Sequence, residues 1–438
     1  MREIGWIAVT SLIELNVRIV DIFPSALLTV VLTYVIIGSW GTAISASSTA
    51  CAVDLQEEND VAANKKAAPK INDFKKISFL IELFSAKCYS LFMKSFLAKD
   101  LARDAKANGN IKIMGRAAFG GDGIDFFWTA SGFELNAKAG ELWAQIESDY
   151  ERLEVWISVW VDGVQFSRLM LNKGSNNICL FRNLNPQNTK NVRVYKETQA
   201  MGDDSLHRFL LKSLSTDGDL LPVTPQPLKI EFIGDSITSG EGAIGAKGET
   251  DWTSLFFGGT KTWAFKLASA VNADFNVISQ SGWGVVSGYD CNLDHAIPKH
   301  YEEICSVMKR PKANEKWDFG RFEPDWVIVN LGTNDQGPCQ SRPDISEIFE
   351  AGVVSFLKNI RLHNPKAKIV WCYGMIGHIL AERLQKAVDA YKAQSGDKDV
   401  QYILLPEIDM EKTGALSHPT EIQQQEAAEY LRSQIVGL

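Results

Sequence analysis

Four short stretches in the second half of this 438-residue chain carry side chains of the kinds that do covalent chemistry. They are Gly234-Asp235-Ser236-Ile237, Ser281-Gly282-Trp283-Gly284, Gly332-Thr333-Asn334-Asp335 and His418-Pro419. A serine hydroxyl is a weak nucleophile until a base within hydrogen-bond reach takes its proton. Histidine exchanges protons near neutral pH, so His418 can take that proton and later return it to a leaving alcohol. Attack on an acyl carbon puts negative charge on the former carbonyl oxygen, which fixed donors must meet. The backbone N–H groups of Ser236 and Gly282 and the side-chain amide of Asn334 are donors of that kind, with Gly284 as an alternative glycine. The chemistry these parts suit is acyl transfer.

Each residue also has a plainer reading when taken alone. Ser236 after a strand is equally a helix N-cap, and Asn334 equally a turn residue. His418 competes with His207, His295, His300, His363 and His378, but it alone stands in the loop before the closing helical pattern. Asp235 and Asp335 are expected to bond backbone amides nearby. Trp283 is a candidate for lining a sugar or acyl pocket, with core packing as the alternative.

The elements around these stretches explain how they would meet. From Leu228 five apolar runs (LKIEFIG, FNVISQS, WVIVNLG, KIVWCYG and VQYILLP) alternate with helical patterns. The last helix opens on Thr420 and Gln423, spaced as a capping box. Near-continuous apolar strands alternating with helices predict an α/β domain with a buried parallel sheet, covered by helices on both faces in three layers. Ligands bind such sheets beyond the carboxyl ends of the strands, where the serine, glycine and asparagine stretches fall. Upstream, residues 110–227 form short alternating runs such as LEVWISVWVDG and NVRVYKETQ between Gly, Asn and Asp turns, which predicts an all-β sandwich. This domain is expected to brace the catalytic cleft, and the proline-rich Leu221–Pro227 to link it to the domain at 228–438.

GDSI, the glycine of the second stretch, GTND and the late HP, in this order, resemble the four blocks of the SGNH (GDSL-type) hydrolases. With a β-sandwich in front, GR within IKIMGRAAF, VRVYKE and PDWVIVNLGTND, the chain is most similar to carbohydrate esterase family 2. The resemblance covers Asn110 to Leu438. It implies a jelly-roll-like sandwich before an SGNH, flavodoxin-like domain, and an acetylxylan-type carbohydrate O-acetyl esterase needing no metal or cofactor. By family role Ser236 is the nucleophile, Ser236, Gly282 and Asn334 form the oxyanion hole, and His418 is the base. Other SGNH enzymes act as lipases or thioesterases on different acyl esters, and loss of activity would leave a carbohydrate-binding protein. One departure stands out. SGNH enzymes carry an aspartate three residues before the histidine, or in family 2 often two before it, and here those positions are Ala415 and Leu416. A backbone carbonyl orients His418, a more distant acid such as Asp409 or Glu411 does, or the activity is crippled.

Composition narrows the partners. A formal net charge of −8 without a long basic run argues against nucleic acid, since phosphate binding needs clustered Lys and Arg. The seven cysteines form no CxxC pair, and HExxH, P-loop and clustered Cys/His metal motifs are absent. Gly240, Gly242 and Gly245 fit GxGxxG, but they begin six residues past the strand they should close, so a dinucleotide site is not expected. The uncharged run Ser25–Ser45 is long enough to span a bilayer, and Ala50 and Ala52 form a plausible cleavage site. Residues 1–52 are therefore expected to be a signal peptide or membrane anchor, giving a secreted or envelope-attached protein with possible membrane contact. Residues 53–109 are expected to hold a polar linker and an amphipathic helix.

Overall fold

The computed structural model describes residues 109–438 throughout, with 93–97, 99–101 and 103 ahead of them. Residues 1–92 make a separate unit with four antiparallel strands, Glu3–Ala8, Ile13–Ile22, Leu27–Ile37 and Ala43–Asp54. The leader or anchor expected over Ser25–Ser45, the linker at 53–75 and most of the helix expected after it lie outside the residues described in side-chain detail. Among the described residues no helix is long and apolar enough to cross a membrane.

The β-rich domain consists of two six-stranded sheets whose strands pair antiparallel. Their facing side chains, including Phe126, Ile146 and Phe209 from one sheet and Phe133, Ile157 and Val194 from the other, form a common buried core. The alternation read in the sequence reflects one face packed inward and one turned out. The expected helix upstream is corrected in part, because Lys94–Leu97 is a strand. It pairs with Ser213–Thr216, the half of strand Arg208–Thr216 that Ile124–Phe126 leaves uncovered on that side. Unpaired strand amides and carbonyls there select an extended partner over the local helical period. The sandwich therefore begins before Asn110.

The C-terminal domain carries one fully parallel sheet. Its strands are β1 (Leu228–Gly234), β2 (Ala273–Ser279), β3 (Trp326–Asn330), β4 (Lys368–Met375) and β5 (Val400–Glu407), in the order β2-β1-β3-β4-β5. This is the flavodoxin-like order. Alternate residues of one strand feed two cores: Val327 and Val329 meet Phe349, Phe356 and Leu384, whereas Trp326 and Ile328 join a cluster with Trp263, Leu267 and Leu431. The first set of partners comes from α4 (Pro343–His363), which follows the short α3 (Gln336–Ser341), and from α5 (Ala381–Ser395), and the second from α2 (Trp263–Ala270) and α6 (Glu421–Gln434). Burial on both faces is why the strands read as continuous apolar runs.

The two domains share a core and a buried ion pair. Phe127 and Trp128 of the sandwich pack with Ile304, Val307 and Met308 of the α/β domain, and the Trp128 indole N–H donates to the carbonyl of Ile304 at 2.7 Å. Arg116, fully buried, donates to the carbonyls of Tyr301 and Glu303 and lies 3.3 Å from Glu231, whose other oxygen accepts from the Tyr301 hydroxyl at 2.7 Å. Met93–Leu438 accordingly form one compact unit.

Candidate active site

Strand β1 ends at Gly234, and Asp235 caps the short helix α1 (Ser236–Ser239) by accepting from the N–H of Ile237 at 3.0 Å. Gly234 is obligatory at this turn, because a Cβ there would come within 2.0 Å of Thr238 Oγ1. The cap role weighed for Ser236 thus falls to Asp235, and Ser236 stands as the first helical residue with its side chain turned to His418. The Ser236 hydroxyl and His418 Nε2 are 2.8 Å apart. Residues 182 positions apart meet because the loop before α6 returns across the carboxyl edge of the sheet.

The first turn of α6 is fixed in two ways. The Thr420–Gln423 capping box is present, with both reciprocal bonds made. Gln424 donates to the carbonyl of Ile237 at 2.9 Å and accepts from the N–H of Trp263 at 2.8 Å, which docks α6 against the helix that carries Ser236.

A backbone carbonyl occupies the place of the missing acid. His418 Nδ1 lies 2.9 Å from the carbonyl oxygen of Leu416. Leu416 and Ser417 both take positive φ, 56° and 59°, which turns that carbonyl back onto the ring. The loop is held by Leu416 N–H to Glu249 O at 2.8 Å and Ala415 N–H to Gly242 O at 3.1 Å. Neither distant acid serves the histidine: Asp409 caps Glu411 and pairs with Lys412, and Glu411 pairs with Lys247.

Two of the three GxGxxG glycines find their use here. A Cβ on Gly242 would lie 2.1 Å from Ala415 O and 2.9 Å from the Cβ of His418, and one on Gly245 would lie 2.3 Å from the Cβ of Ala415. They are small so that the histidine loop can lie directly on them.

The second and third stretches meet as well. Asn334 donates from Nδ2 to the carbonyl of Trp283 at 2.9 Å, which leaves its second amide hydrogen for another acceptor. Gly282, at φ 78°, gives its carbonyl to Tyr289 N–H, while its own N–H has no acceptor among the described residues. Gly284 is different, since its N–H is bound to His295 O at 3.2 Å, so the alternative glycine is not the free donor. Asp335 collects the N–H groups of Val285, Val286 and Ser287 at 2.8, 3.0 and 3.3 Å, which fastens the second stretch onto the third. Burial pushes the Asp235 carboxyl up to about 7, with the charge of Asp335 adding to the effect, and burial pushes Asp335 up to about 6.

Trp283 is half-buried against the core, stacked on His295 with centroids 5.2 Å apart and tilted on His300 at 4.6 Å. Its carbonyl reaches the site, while its ring packs. Two neighbours escaped the sequence reading: Tyr289, 72% exposed and lying against Gly282, and Gln199, which arrives from the sandwich. A lone tyrosine or glutamine in a loop carries no sequence signal. No His/Cys/Asp/Glu group among the described residues is arranged to hold a metal.

Comparison with known proteins agrees with this architecture. Residues 232–425 match the GDSL-like Lipase/Acylhydrolase family, and residues 113–223 match Carbohydrate esterase 2 N-terminal. An acetyl xylan esterase from the rumen bacterium Butyrivibrio proteoclasticus superposes with a TM-score of 0.74 at 32% identity, over 78% of this chain and 97% of that one. The chain belongs to carbohydrate esterase family 2. This family 2 chain thus combines the family's N-terminal β domain with a carboxylic ester hydrolase domain. It is also similar to a family two carbohydrate esterase from Clostridium thermocellum, solved with cellohexaose, at 27% identity and TM-score 0.66 over 74% and 98% of the two chains. A cellulase/esterase of Acetivibrio thermocellus is 28% identical over 346 residues, covering 77% of this chain, which spans only 40% of that relative's length.

Proposed function

We propose that this protein is a serine esterase that removes O-acetyl groups from a polysaccharide of the acetylxylan type, through an acetyl-enzyme formed on Ser236. The observation that carries the reading is the hydrogen-bonded series Ser236 Oγ, His418 Nε2, His418 Nδ1 and Leu416 O, with steps of 2.8 and 2.9 Å. A carbonyl can only accept, so Nδ1 holds the proton and Nε2 faces the serine with its lone pair. Ser236 Oγ attacks the acetyl carbon as His418 takes its proton. The oxyanion is met by the N–H groups of Ser236 and Gly282 and by the Asn334 amide; as the acyl C–O bond to the sugar breaks, the imidazolium protonates the departing sugar oxygen, and water then attacks the acetyl-enzyme by the same steps to release acetate and free Ser236. The exposed ring of Tyr289 beside Gly282 suits a sugar ring at the mouth of the site. A polysaccharide substrate also favours a protein that works outside the cytoplasm, secreted or attached to the envelope.

The test is turnover of 4-nitrophenyl acetate and release of acetate from acetylated xylan by the full chain, beside Ser236→Ala and His418→Ala. Loss of both activities in both variants is expected. Equal turnover by the parent and Ser236→Ala would overturn the reading.

A further inference from the structure

We propose that Gln199, a residue of the sandwich domain, is a positioning residue of the oxyanion hole, aiming the N–H of Gly282 by anchoring Ser281. The inference rests on the esterase reading above. Gln199 is fully buried, and its Oε1 accepts from both the backbone N–H of Ser281 at 2.8 Å and the Ser281 hydroxyl at 2.9 Å.

The turn Gln280–Trp283 is held from several sides. Gln280 N–H donates to Gly234 O at 3.2 Å, Trp283 N–H to Gln280 O at 3.3 Å, and Tyr289 N–H to Gly282 O at 3.0 Å. The Trp283 carbonyl accepts from Asn334. Ser281 N–H is the group just before the free Gly282 N–H, and its acceptor comes from the other domain. Without it the Ser281 N–H loses its acceptor and that peptide keeps only the 3.3 Å bond from Trp283 N–H to Gln280 O, so the Gly282 N–H one residue on can swing from its line.

Two features mark the contact as more than packing. Only the oxygen end of the amide can accept from an N–H, so the side chain's orientation is set, and its buried Nε2 is left without a hydrogen-bond partner. Such an orphan donor is costly, and an apolar side chain of the same length would avoid the cost while losing the acceptor. The segment is also rigidly held, since the buried Lys196 Nζ donates to the carbonyls of Thr198 and Gln199. Glu197, next in line, accepts from the N–H and hydroxyl of Thr260 at 3.0 and 2.7 Å. The β-sandwich thereby reaches into the α/β domain at the level of the reacting atoms.

The experiment compares Gln199→Met, Gln199→Glu and Gln199→Asn with the parent on 4-nitrophenyl acetate, recording kcat, KM and thermal unfolding. A shift of the oxyanion donor acts on the transition state, so Gln199→Met should lose about 100-fold in kcat with KM within about twofold. Gln199→Glu keeps an acceptor and should recover most of that loss. Gln199→Asn keeps the amide one methylene short, and supplies the comparison if the methionine variant does not fold. Parental kcat in a folded Gln199→Met or Gln199→Asn protein would overturn the proposal. So would a Gln199→Glu variant no faster than Gln199→Met. Failure of the esterase reading would appear separately, as a parent no faster than Ser236→Ala.

Discussion

The His418 ring is oriented by the carbonyl of Leu416, two residues back in its own loop, at 2.9 Å. In place of a carboxylate, the chain uses a loop with two consecutive positive-φ residues to aim one peptide oxygen. The position three before the histidine has no room for an acid, because Ala415 is fully buried and lies directly on Gly245. Ala415→Asp should therefore lower the melting temperature without raising kcat. A folded Ala415→Asp enzyme with higher kcat would show that the carbonyl is a poor substitute for an acid.

Gly242 carries the histidine loop at the closest approach. With φ at 69° and a hypothetical Cβ 2.1 Å from Ala415 O, Gly242→Ala must push that loop away from Ser236. A displacement of that kind should reduce kcat about 100-fold. Parental turnover in the folded variant would mean that the loop absorbs the methyl group elsewhere.

Removing the side-chain donor at Asn334 should cost about 100- to 1000-fold in kcat, with KM little changed. Steady-state kinetics of Asn334→Ala on an acetyl ester measure this directly, and a defect confined to KM would exclude Asn334 from the oxyanion hole.

The buried carboxyl of Asp235 makes stability depend on pH. Its folded value is raised to about 7 from an ordinary 3.8, so its contribution is complete below the ordinary value and is lost as pH rises through about 7. Asp235→Asn keeps an acceptor for the N–H of Ile237 and removes the titration. Its melting temperature relative to the parent should gain a few degrees between about pH 5 and about pH 8. A difference that does not change with pH would show that Asp235 ionises freely.

Arg116 ties the domains together where both charges are out of water. Arg116→Ala leaves Glu231 buried without its ion partner and should cost about 3–5 kcal/mol in denaturant unfolding. A loss below about 1 kcal/mol would show that the Tyr301 hydroxyl is partner enough for Glu231.

Much of this was legible along the chain. The five parallel strands are apolar on both faces and carry their loops at one end, so Ser236, Gly282 and Asn334 could be located before any distance was known. His418 was legible from its place just before a capping box. Periodicity failed at Lys94–Leu97, where the uncovered half of Arg208–Thr216 outweighed a local helical pattern. What the residues alone determined were the types of side chain proposed as nucleophile, base and donor and the strand ends that bear them, because those depend on side-chain chemistry and local hydrophobic pattern. Only the tertiary structure decided what orients His418, why Gly242 is a glycine, which glycine keeps a free N–H, and that Gln199 reaches Ser281. Each of these is a contact of peptide groups or an ordinary side chain across long sequence separation, and such contacts leave no pattern in the order of residues.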